Sequence, residues 1–184
     1  MRIKDIITTV LLAICNTIIF LLVSITSVTP VTLVLQPVFY ALVQGIVFFV
    51  LGTKVKKKGA ILLYCIIQGG ICCYIPYIIG YTVAGIIAEM ILAKTGYGKM
   101  SGLTISYIIV QVCACLAGTV YPFVFALETT IKRQANSNRE YSITEVTSIL
   151  SVGGTVGLVI LTALAALVGA FIGSKILKKH LITE

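Results

Sequence analysis

The chain has 184 residues, 59% of them hydrophobic and 11% charged, with a mean hydropathy of +1.10. Its apolar residues form long runs, not stripes on otherwise polar helices, which excludes an ordinary soluble domain and defines a polytopic membrane protein. The net charge of +8 sits in short lysine tracts beside the apolar runs, the pattern of topology signals and anionic-lipid contacts and not of a nucleic-acid surface.

The pattern predicts an all-α chain, one transmembrane domain over residues 1–184 with six helices. Arg2 and Lys4 precede the first helix, 6–28, which is long enough to cross a hydrocarbon core of roughly 30 Å. No small-residue cleavage site and soluble domain follow, so this run is expected to be retained. An uncharged turn leads to the second helix, 32–51, which carries Pro37 near its start and stops at Lys54, Lys56, Lys57 and Lys58. The third, 60–74, is short and is broken by Pro76. The fourth, 77–93, holds Glu89 and small residues every four positions at Gly80, Ala84 and Ala88. Lys94 and Lys99 bracket the turn to the fifth helix, 103–127, with Pro122 late in it. An outer loop at 128–148 and a sixth helix at 152–174 complete the order, closed by Lys175, Lys178 and Lys179.

Charge predicts the orientation. With six crossings and the N-terminus inside, the cytoplasmic segments hold two, four, two and three Lys/Arg, and the outer ones none, none and three. The bias favours cytoplasmic N- and C-termini. No repeat at helix-pair spacing is visible, which weakens a two-fold secondary-transporter reading.

Catalysis is not expected. Intramembrane hydrolases need paired carboxylates, Ser/His or Cys/His sets, or metal ligands within the spans. Here the spans hold one carboxylate, Glu89, and the single histidine, His180, lies in the tail. Six cysteines (Cys15, Cys65, Cys72, Cys73, Cys113 and Cys115) fall in apolar runs without C-x-x-C or nearby histidine, so they read as packing residues, and no metal or cofactor is expected.

Binding has better candidates. Tyr74, Tyr77 and Tyr81 surround Pro76 at the outer junction of helices three and four. Tyr121 and Phe123 beside Pro122, and Gln36 and Tyr40 on helix two, are expected at matching depth. Helix breaks are tolerated where they line a cavity, and aromatics with a few polar groups suit a small-molecule pocket; an interfacial aromatic belt is the alternative. The outer loop offers Arg133 and Arg139 to a ligand acid if it folds as a lid, and is a plain solvated connection otherwise. Asn16, Gln44, Gln68 and Gln111 are expected to bond between helices. Thr9 and Ala13 on helix one, and Gly153, Gly157, Ala165, Gly169 and Gly173 on helix six, allow close backbone approach within the bundle or to a partner. Glu89 lies five residues before Lys94, about 7–8 Å along the helix, and is expected to reach the cytoplasmic interface, serving folding or coupling to a partner.

The segments KDIITTVLLA (4–13), LGTKVKKKGAI (51–61), GIIAEMIL (85–92), EYSITEV (140–146) and GAFIGSKILKKHL (169–181) together resemble the Trep_Strep family of bacterial integral membrane proteins. Through it, the chain is similar to the substrate-binding S component of an energy-coupling factor (ECF) transporter. The resemblance implies capture of a scarce nutrient outside a bacterial cytoplasmic membrane, with a transmembrane coupling subunit and two cytoplasmic ATPases powering release. It also implies docking through small residues on helix one, where Thr9-x-x-x-Ala13 replaces the usual Ala-x-x-x-Ala. The substrate does not carry over. The tyrosines favour a flat organic molecule such as a vitamin, a tetrapyrrole or a metal chelate, and the lack of outer-half His, Asp or Glu argues against bare nickel or cobalt. The competing functions are a membrane scaffold or assembly factor, and a self-sufficient carrier.

Overall fold

A computed structural model describes residues 1–134 and 143–181, and every regular element among them is helical. The order is α1 (Ile3–Ile25), α2 (Pro30–Lys54), α3 (Ala60–Ile71), α4 (Ile75–Thr95), α5 (Met100–Cys115) with a π-helical continuation (Leu116–Phe125), α6 (Leu127–Gln134), α7 (Ile143–Ile149) and α8 (Val152–Leu181). Five stretches are long and apolar enough to cross a membrane: α1, α2, α4, α5 with its continuation, and α8. The sixth apolar helix, α3, has 12 residues and extends about 18 Å, short of a roughly 30 Å core.

Helix ends differ from expectation where local chemistry intervenes. α2 starts at Pro30 because Thr29 and Thr32 form a reciprocal cap, each side chain accepting the other's backbone N–H, at 3.2 and 3.0 Å. Proline at the first helical position costs no hydrogen bond. α3 stops at Ile71 and not near 74, and Cys73 takes a left-handed φ of 46°. The fifth helix is not one continuous α-helix. Pro122 has no N–H to donate, and the helix widens so that the Ala126 N–H donates to the Tyr121 carbonyl, five residues back, at 3.0 Å. The expected outer loop, 128–148, instead contains most of α6 and α7 in its described part. The Thr130 hydroxyl donates to the Pro122 carbonyl at 2.7 Å, and Val146 of α7 is fully buried.

α2 and α8 pack backbone to backbone. A Cβ on Gly45 would overlap the Gly169 carbonyl, one on Gly169 would overlap the Ala41 carbonyl, and one on Gly173 would sit 2.9 Å from the Gly45 oxygen. Without a hydrophobic drive between helices in lipid, such backbone contact supplies the association through dispersion. Gly153 and Gly157 at the start of α8 face open space instead.

One end of the bundle collects the lysine tracts that follow α2 and α4. Lys57 pairs with Asp5 at 3.0 Å, bringing the start of α1 to the loop after α2. The Lys56 stem lies against Gly98, in the turn between α4 and α5. Because Gly169 meets Ala41 and Gly173 meets Gly45, α8 runs parallel to α2 and also descends toward this end.

Candidate functional site

At the opposite end, α1, α2, α4 and α5 part around a cavity of about 120 Å³. α1 contributes Phe20, α2 contributes Gln36, Pro37 and Tyr40, and the α3–α4 junction contributes Cys72 and Tyr74. α4 adds Tyr77, α5 adds Gln111 and Ala114, and the π-helical segment adds Gly118 and Thr119. None of these lining residues is charged. The widened helix matters here because it places Gly118 under the Tyr77 ring, so closely that a Cβ on residue 118 would lie 2.7 Å from Tyr77 Cε2.

Below the cavity, polar groups are tied together across helices. Asn16 Nδ2 donates to the Tyr40 hydroxyl and, at 2.7 Å, to Gln68 Oε1, while Gln68 Nε2 donates to the Ala13 carbonyl at 2.7 Å. A second chain runs from Gln111 Nε2 to Gln44 Oε1, and from Gln44 Nε2 to the Tyr64 hydroxyl at 2.8 Å. Each net donor–acceptor pair contributes on the order of 1 kcal/mol between membrane helices. More importantly, an unpaired amide in this setting is costly, so the pairs fix the depth at which Tyr40 and Gln111 meet the cavity.

Four of the nine binding candidates named from the sequence line the cavity: Gln36, Tyr40, Tyr74 and Tyr77. Of the other five, Tyr81, Tyr121 and Phe123 are not among its lining residues, and the side chains of Arg133 and Arg139 lie outside the described residues. Tyr81 is fully buried behind Tyr77, edge-on with ring centroids 4.8 Å apart. The Tyr40 and Tyr77 hydroxyls are its neighbours, yet the Tyr81 hydroxyl makes no hydrogen bond of acceptable geometry. Tyr121 points outward, 41% exposed and stacked on Phe125 at 6.2 Å, because the wider helical repeat turns it away from the bundle axis. Phe123 is half-buried against the core. Arg133 lies in α6 with its side chain outside the described residues, and Arg139 lies outside them altogether. Seven lining residues are not among the pocket candidates read from the sequence: Phe20, Pro37, Cys72, Gln111, Ala114, Gly118 and Thr119. Gln111, Gly118 and Thr119 are the informative ones. Their signal was there in part: an uncharged polar residue one helix away from Tyr40, and a Gly-Thr pair just before a proline.

The three residues expected to serve a partner are occupied within the chain. Thr9 and Ala13 are both fully buried within the bundle. Thr9 donates to the Asp5 carbonyl at 2.9 Å, and the Ala13 carbonyl receives Gln68 from α3. The exposed side of α1 carries Ile7, Leu11, Ile14 and Ile18.

Glu89 is 9% exposed and turned inward at the lysine end of the bundle, beside the start of α3 and the α4–α5 turn. Its Oε1 accepts the backbone N–H groups of Ile61 at 3.0 Å and Leu62 at 3.3 Å, and its Oε2 accepts the Tyr97 hydroxyl at 3.0 Å. The residue before α3 is Gly59, with φ +92°, which has no side chain to cap the helix. A carboxylate from α4 therefore closes the N-terminus of α3, where backbone donors and the helix dipole both favour negative charge. Partial burial, and then the hydrogen bond and charge of Glu89, push the Tyr97 phenol up to about 12.

A bundle of five membrane-length apolar helices with polar groups paired across its interior defines an integral membrane protein. The sequence comparison supplies the particular group: the family model Trep_Strep, described as a hypothetical bacterial integral membrane protein, matches residues 3–182, and the chain belongs to that family. No curated protein and no solved structure matches it.

Proposed function

We propose that this chain is the substrate-capture subunit of an energy-coupling-factor importer in the bacterial cytoplasmic membrane. It holds a small organic nutrient in the cavity at the end away from the lysines and relies on a transmembrane coupling subunit and two ATPases for release. The observation that carries the reading is the cavity itself: an aromatic, polar, charge-free recess lined by α1, α2, α4 and α5 at the end away from the lysine tracts. On this reading the lysine end faces the cytoplasm in keeping with the charge bias, α3 returns the chain as a sixth, shortened crossing, and both termini are inside.

The volume narrows the substrate. Ordinary small-molecule pockets occupy roughly 300–1,000 Å³, so at about 120 Å³ this cavity takes neither a tetrapyrrole nor a bulky metal chelate in the conformation described, and a small vitamin-like molecule is the better match. The partner surface is assigned to the exposed side of α1 and the lysine end, since Thr9 and Ala13 are already buried. The test is to purify the chain alone and with candidate coupling and ATPase subunits. ATP-dependent uptake by the complex, with a co-purifying small molecule lost in Tyr77→Ala, supports the reading; uptake by the chain alone defeats it.

A further inference from the structure

The hydrogen-bond pattern around the cavity bears on what it takes. Gln36 donates through Nε2 to Ser24 Oγ at 3.2 Å, and Gln111 donates through Nε2 to Gln44 Oε1. Each amide thus commits one of its two N–H groups to a neighbour, and the two carbonyl oxygens carry no hydrogen bond among the described residues. Thr119 lines the same space, and its hydroxyl also has no hydrogen bond there. The two free carbonyl oxygens accept only, while the Thr119 and Tyr77 hydroxyls can donate or accept, so the lining suits a ligand that carries a donor together with an acceptor.

The remaining features restrict the ligand further. Phe20, Tyr40, Tyr74 and Tyr77 bring four rings to the lining, which favours a flat partner. None of the lining residues is charged, and an ion moved from water into such a site keeps no counter-charge to offset its lost hydration. A cavity of about 150 Å³ is known to hold benzene, so a volume of about 120 Å³ is the scale of one ring and not of two. We infer that the cavity selects neutral, planar, single-ring molecules bearing N–H or O–H donors, oriented by the Gln36 and Gln111 carbonyls and Thr119. This rests on reading the cavity as the capture site, and names its substrate class.

The experiment uses the full chain in lipid nanodiscs and three probes: benzamide, benzoate and 2-naphthamide. They share an aryl carbonyl and differ in charge or ring number. Isothermal titration is expected to give saturable binding of benzamide, at least tenfold weaker binding of benzoate, and none of 2-naphthamide. Thr119→Val, nearly isosteric, is expected to weaken benzamide about tenfold without changing the thermal midpoint, and Gln111→Leu to weaken it further. Benzoate or 2-naphthamide binding as well as benzamide would overturn the assignment, as would failure of all three to bind. A charged or larger molecule co-purifying with a transport-competent complex would also sink the substrate class while leaving the capture function standing.

Discussion

Glu89, two turns from the end of α4, accepts the backbone N–H of Ile61 at 3.0 Å and so caps a helix to which it does not belong. The lone carboxylate of the spans is thereby explained by helix-end chemistry. Glu89→Gln keeps the shape but removes the charge that faces the helix terminus, and the amide presents one acceptor oxygen in place of two. The expected loss is about 1–2 kcal/mol of stability, read as a lower thermal midpoint and faster amide exchange at residues 60–64, with cavity binding retained. Loss of binding in a folded Glu89→Gln protein would place the residue in the capture site instead.

Tyr97 reports the same contact from the other side. Its phenol is pushed up to about 12, first by partial burial and then by Glu89, against about 10 in an unfolded chain. A raised folded value favours the protonated phenol, so this contribution to stability is complete below about pH 10 and is lost as pH rises toward 12. Phenolate absorbance, by difference between wild type and Tyr97→Phe, is expected to place the Tyr97 transition near 12. In Glu89→Gln the transition should move part of the way back toward 10.

The buried Ala13 gives a test of where the small stripe of α1 belongs. Ala13→Leu inserts three carbons into the packed bundle and is expected to cost about 1–3 kcal/mol in the isolated chain. The reading fails if the isolated protein keeps its thermal midpoint and only assembly with other subunits suffers.

Gly118 lies beneath the Tyr77 ring. Gly118→Val is expected to push that ring across the cavity and abolish ligand binding while the bundle remains folded, as judged by unchanged helical circular dichroism. Binding at wild-type affinity would mean that the ring has room to move aside.

α2 and α8 meet backbone to backbone. Gly169→Ala places a methyl group into the Ala41 carbonyl and is expected to destabilise by about 1–3 kcal/mol through overpacking. Gly157→Ala, in open space, is expected to leave the thermal midpoint within a degree or two; equal effects at both positions would contradict the packing.

Much of the architecture follows from composition and spacing. Apolar runs of membrane length and lysine tracts at their ends determine a helical membrane protein, because lipid requires each spanning segment to satisfy its own backbone. Prolines and glycines placed the breaks to within a few residues, and Gln36, Tyr40, Tyr74 and Tyr77 were legible as a pocket from their common depth. Depth is a one-dimensional quantity, however, and rotation about each helix axis is not. Only the packed bundle decided that Tyr121 turns outward, that Tyr81 lies behind Tyr77, that Thr9 and Ala13 are buried, and that Glu89 meets the open end of a helix 28 residues before it. Helix rotation likewise brought Gln111 to the cavity, and the π-helical widening before Pro122 set the phase of Gly118 and Thr119 within it.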